Sequence, residues 1–145
     1  MSEELISAYD IRGSEKDGLT VELAWNVGKA LADWLSSDGG VVVVYVPQRA
    51  YLSSCVMEGL RLQGRDVIDG GNGDREAAKA YIATHHLAGA AAIGYDELEG
   101  VTVIELYNEE GRLVTSETGL REIRNLVEAG NFVPAAKKGE VREIA

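Results

Sequence analysis

Arg12 follows Asp10 by two residues and precedes Asp17 by five. A guanidinium is a permanent cation whose forked donors match the oxygens of a phosphate or a carboxylate. Two roles are therefore open to it: gripping a phosphate, or pairing with Asp10 or Asp17. Asp96, Glu97 and Glu99 gather hard oxygens that could take a divalent cation. The competing reading is a solvated hairpin tip, because calcium loops carry several more ligands. His85 and His86 are neighbours, and neighbours on a helix point about 100° apart, which splits them as metal ligands. They read as a helix-end pair favoured by the C-terminal dipole. Gly70-Gly71-Asn72-Gly73 stands between a strand and a helix, where phosphate cradles form. Its spacing fits neither the dinucleotide fingerprint nor the P-loop, and no Lys-Ser/Thr follows. Turn chemistry is the reading, with a small-anion site as the alternative.

The totals narrow the classes. With 145 residues the chain fits one ordinary domain and buries a real core. Its 46% hydrophobic and 26% charged residues mark a soluble globular protein. Fourteen basic residues face 24 acidic ones, a net charge of −10, which repels nucleic acid and anionic lipid alike. It also disfavours a sugar phosphate unless a local basic site overrides the field. Cys55 is the only cysteine, which excludes an internal disulfide and a cysteine metal cluster. Met1-Ser2-Glu3-Glu4 has no apolar run behind it, and the longest apolar run, Val41 to Val46, is far too short to span a membrane. The expected location is the cytoplasm.

The elements that would position these residues read clearly. Leu23, Ala24, Val27, Leu31 and Trp34 form one helical stripe over Leu19 to Trp34, with Thr20 as N-cap. Trp25 falls off that stripe. Val41 to Val46 is apolar on both faces, the mark of a central strand. Leu52 to Leu62 is a second helix, and Asp66 to Asp69 a short strand with the glycine loop behind it. Asp74 caps a third helix through about His86. Gly89 to Gly94 is a small apolar strand. Val101 to Tyr107 follows so closely that the two must form an antiparallel hairpin. A last helix begins near Ser116, carries Leu120, Ile123, Leu126 and Val127, and stops at Gly130. The expected fold is α/β: a three-layer α/β/α sandwich with a mixed, mainly parallel sheet of about four strands. It would occupy residues 1–133, with 134–145 as a linker-like tail.

Ala8-Tyr9-Asp10-Ile11-Arg12-Gly13 is followed by Leu19-Thr20-Val21-Glu22-Leu23-Ala24 and then Val27-Gly28-Lys29-Ala30. This succession resembles the opening of the α-D-phosphohexomutases, the phosphomannomutase/phosphoglucomutase family. The valine strand, Glu58-Gly59-Leu60, Gly64 and Val67-Ile68-Asp69 continue in the family's order, so the resemblance covers nearly the whole chain. Lys137-Lys138-Gly139-Glu140-Val141 looks like the family's passage into its second domain. The resemblance implies domain one of a four-domain enzyme that moves a phosphoryl group within a hexose phosphate. In that enzyme a phosphoserine of domain one is the carrier, and domain two holds a magnesium ion. By resemblance Tyr9, Arg12 and Arg49 would face the phosphate. Magnesium is implied only through a domain for which this chain has no room.

The departures fall on the chemistry. Where the family has Gly-Arg-Asp-x-Arg before a serine pair, the chain reads Tyr45-Val46-Pro47-Gln48-Arg49, with Ser53-Ser54 beyond. The family's Pro-Thr-Pro falls on Gly73 to Glu76, where no proline stands. The phosphoserine motif Thr-Ala-Ser-His-Asn-Pro falls on a shortened Ile93-Gly94-Tyr95-Asp96-Glu97-Leu98, which puts Tyr95 at the serine position. The family's lysine becomes Thr102. A phenol with a pKa of about 10 supplies little nucleophile at neutral pH, and the three acids repel a phosphoryl oxygen. The expectation is a domain without catalytic residues, inactive alone, serving as an interaction or regulatory module. It would meet other phosphohexomutase domains or a protein partner, and hexose phosphate weakly or not at all. Two alternatives stand beside it: one piece of a longer or split phosphohexomutase, and a small-anion-binding domain.

Overall fold

The structure, a computed structural model, describes residues 5–144. Met1 to Glu4, read above as having no apolar run behind them, and Ala145 of the tail lie outside the described residues.

The valine run forms β2 (Val41–Tyr45). Alternate side chains leave a strand on opposite faces. Val41 and Val43 accordingly enter one core and Val42 and Val44 the other, all four fully buried. Such a strand has to be central. Its neighbours are β3 (Val67–Asn72) and β4 (Gly89–Asp96), both parallel to it. β5 (Val101–Tyr107) returns antiparallel to β4, as the short connection requires. Helices α1 (Val21–Trp34), α2 (Ala50–Leu62) and α4 (Arg121–Ala129) cover one face, and α3 (Arg75–His85) covers the other. The result is the expected three-layer α/β/α domain. Thr20 accepts from the Leu23 amide, Asp74 accepts from the Glu76 and Ala77 amides, and Gly130 ends α4 in the left-handed region.

The sheet has six strands rather than four, in the order β1-β5-β4-β2-β3-β6. β1 (Ile11–Gly13) pairs antiparallel with β5, and β6 (Val141–Glu143) pairs parallel with β3. Each has three residues, too few to show a period of two. The segment read as a linker-like tail is therefore held to the domain. Ala135 and Gly139 donate to the carbonyls of Leu62 and Arg61, Val67 donates to Glu140, and Ile144 to Asp69. Gly139 allows this: a Cβ there would overlap the Arg65 carbonyl. The glycine loop also differs from expectation. Gly70, Gly71 and Asn72 belong to β3, whose register slips opposite Val43 and Val44. Gly70 packs where a Cβ would press to 2.7 Å from Val44.

Order and direction place the site. From β2 the chain turns outward to β3, then crosses back past β2 to β4. Open α/β sheets bind ligands at such a reversal, beyond the carboxyl ends of the parallel strands. The segments there are 46–49, 73–75 and the β4–β5 hairpin tip at 96–100.

Candidate functional site

A cleft of about 400 Å³ opens at that edge, on the α3 side of the sheet. Arg12 enters it from β1 and Asp10 from just before that strand, Gly73, Asp74 and Arg75 from the approach to α3 and its first residue, Tyr95 and Asp96 from β4, and Glu105 from β5. The lining carries four carboxylates against two guanidiniums. Both guanidiniums are engaged. Arg12 donates from Nε and Nη2 to the two oxygens of Asp10, 2.9 Å each, and from Nη1 to Glu99 at 3.3 Å. Arg75 pairs with Glu105 at 2.8 Å, and the Tyr107 hydroxyl also donates to Glu105. Burial opposes ionisation of Asp10, but the hydrogen bonds from Arg12 and Ser7 outweigh it and hold the carboxyl below its usual range. The same pairing raises the Arg12 guanidinium. The fork described above as open to a phosphate is thus mostly filled by carboxylates.

Tyr95 stands at the end of β4, and the Arg49 guanidinium lies 4.3 Å over its ring and 6.0 Å from the ring of Tyr51. Arg49 Nη1 donates to the Gln48 carbonyl, while its Nε is buried with no hydrogen-bond partner among the described residues. A guanidinium over an aromatic face is attracted by the ring quadrupole. Beyond Tyr95 the chain turns at once. Asp96 Oδ1 accepts from the Leu98 and Glu99 amides, and Gly100 takes a positive φ of 67°. Leu98 at the tip is wholly exposed.

The three residues expected to face a phosphate are only partly brought together. Arg12 lines the cleft, Arg49 reaches its edge through the Tyr95 ring, and Tyr9 is 62% exposed and outside the lining. At the glycine segment, the Gly71 amide donates to Asp69 and the Gly73 amide to the Tyr45 carbonyl, while Asp74 takes the first amides of α3. The Gly71, Gly73, Glu76 and Ala77 amides are thus already used. His85 and His86 end α3 at the far edge of the sheet, His86 in the left-handed region. Trp34 packs on the core and donates to Glu122, while Lys29 lies 3.6 Å over the ring of Trp25. Among the described residues no group of three or more His, Cys, Asp or Glu could hold a metal ion. By the resemblance the magnesium would be held by a second domain, so its ligands are not expected among these residues. No helix of the described residues is long and apolar enough to cross a membrane.

Sequence reasoning missed Asp10, Asp74, Arg75 and Glu105 as cleft residues. Glu105 left a signal: it is the one charge in the alternation Val101, Val103, Glu105, Tyr107. A charge on a strand face otherwise apolar marks a place where that face is wet or paired.

No family model matches this sequence. Among curated proteins it is 32% identical over 145 residues to a phosphomannomutase of Salmonella typhimurium, covering 95% of this chain and 31% of that protein. It is 31% identical over 146 residues to a phosphomannomutase of Klebsiella pneumoniae, covering 95% of this chain and 90% of that sequence. Over 128 residues it is 36% identical to a phosphohexose mutase of Xanthomonas campestris. The chain thus spans about a third of the length of the first curated relatives it matches. A crystal structure of a phosphoglucomutase/phosphomannomutase family protein from Burkholderia thailandensis has the same fold, with a TM-score of 0.82 at 18% identity. The match covers 99% of this chain and 33% of that one.

Proposed function

The chain belongs to the phosphomannomutase/phosphohexomutase family, corresponding to its N-terminal domain, and from that premise we propose that it is a degenerate member of that domain class: catalytically inactive alone, and serving in the cytoplasm as an interaction or regulatory module. The observation that carries this reading is the state of Arg12, held by Asp10 and Glu99. Phosphoryl transfer needs a nucleophile beside cations that neutralise the moving charge. Here the position that matches the family's serine holds Tyr95, whose ring sits under Arg49. The next residue, Asp96, is spent on closing a turn. The surplus of carboxylates in the cleft opposes the approach of an anionic phosphoryl group.

A purified sample of the chain incubated with glucose 1-phosphate or mannose 1-phosphate, primed with the 1,6-bisphosphate, tests the proposal. The expected result is no 6-phosphate above the protein-free control. Turnover that scales with protein concentration would refute it.

The 31% coverage of the relatives favours a second reading, in which this domain is one part of a longer or split phosphohexomutase acting on hexose phosphates. Adjoining coding sequence with the family's metal loop would support it. Even then, another loop would have to supply the nucleophile.

A further inference from the structure

Arg12 has one terminal nitrogen left after Asp10 has taken Nε and Nη2. That nitrogen, Nη1, meets Glu99 Oε2 across 87 residues of chain. The meeting is arranged by the hairpin tip. Asp96 Oδ1 holds the Leu98 and Glu99 amides, the Gly100 amide donates to the Asp96 carbonyl, and Gly100 turns back with φ at 67°. β5 then pairs with β1, Thr102 opposite Gly13, so Glu99 leaves the turn beside Arg12. Glu97 is in the same turn, but the carboxylate partners of Arg12 are Asp10 and Glu99.

We infer that Glu99 decides what charge the cleft accepts, by occupying Arg12 as an internal anion where a phosphate would otherwise sit. This rests on the reading of the cleft as a disused phosphate site. The Asp10 contact is two-pronged, and its carboxylate is 6% exposed. The Glu99 contact is single, with the Glu99 side chain 59% exposed. Asp10 therefore anchors the arginine, and Glu99 is the part that can be removed without disturbing the core. An exposed pair of this kind is weak, so its removal frees Nη1 by a factor of up to about five. Taking a like charge away from a bound dianion adds to this, for about tenfold together.

The test is a titration with inorganic phosphate, followed through the Arg12 Nε–H and the amides of the labelled chain. It compares the unmodified protein with Glu99→Gln and Glu97→Gln. Each variant removes one charge from the same exposed turn, and the amide spectra without phosphate check that both fold. Glu99→Gln is expected to bind phosphate about five- to tenfold more tightly, with the Arg12 Nε–H shifting as phosphate is added. Glu97→Gln is expected to change affinity by less than about twofold. If the two variants behave alike, or Glu99→Gln binds no better, the inference fails alone. Tight phosphate binding at Arg12 in the unmodified chain would overturn both the inference and the reading beneath it.

Discussion

Replacing Arg65 by Met keeps a side chain of similar stem and removes the guanidinium that closes the end of α1. That guanidinium donates five hydrogen bonds to four carbonyls. They are Ala32 (3.1 and 2.9 Å), Leu35 (3.0 Å), Ser37 (2.5 Å) and Gly39 (3.0 Å). The last carbonyls of a helix have no partner within it, and a cation there also meets the negative end of the dipole. Burial lowers the Arg65 guanidinium, and Asp38 and Asp33 act against that. A hydrogen bond to a charged group contributes about 1.5–3 kcal/mol, but the site is only half-buried and water replaces part of the loss. Counting about 1 kcal/mol for each carbonyl, less what water returns, gives about 3 kcal/mol. For a chain of this size that lowers Tm by roughly 6–12 °C. Lysine keeps the charge but lacks the fork, so Arg65→Lys should lose about half as much. Urea and thermal unfolding followed by circular dichroism measure both. A loss below about 1 kcal/mol in Arg65→Met would show that water caps α1 as well as the arginine does, and would refute the reasoning.

Gly59→Ala should lower stability by about 1–3 kcal/mol, because a Cβ there would run into the Trp25 carbonyl and the Lys29 amide where α1 and α2 touch; an unchanged Tm would mean the helices part freely. Asp10 carries a lowered folded pKa, so its contribution is complete above the unfolded value of about 3.9 and fades as pH falls through the folded value. Urea midpoints of the unmodified protein and Asp10→Asn should differ most above about pH 5 and converge below about pH 4; a gap that widens in acid would contradict the assignment. Tyr95→Ser restores the residue type at the family's carrier position, yet should give no hexose phosphate turnover, because Thr102 replaces the lysine and the carboxylates of the cleft remain. Turnover in that variant would mean that the nucleophile was the sole loss.

Much of this architecture is legible because it repeats at short range. The α1 stripe, the four valines of β2, the close spacing of β4 and β5, and the caps Thr20 and Asp74 are local patterns with local physical causes. β1 and β6 are not legible, since three residues hold no period and both strands depend on a partner distant in sequence. Gly139 shows the same limit: it is needed because the backbone at Arg65 lies against it. The site divides in the same way. Arg12 stands out by type, and two roles were open for it at the outset. Only the fold brings Glu99 to its free nitrogen, and Glu105 to Arg75. Charge pairing across a cleft has no spacing rule in one dimension, so the acidic character of this one became visible only with the strands in place.

The central claim is that the domain no longer carries a phosphoryl group. Intact mass of the purified chain after incubation with glucose 1,6-bisphosphate tests it most directly. The account predicts an unchanged mass. A phosphorylated fraction that grows with time and maps to Tyr95, or to any other residue lining the cleft, would contradict it.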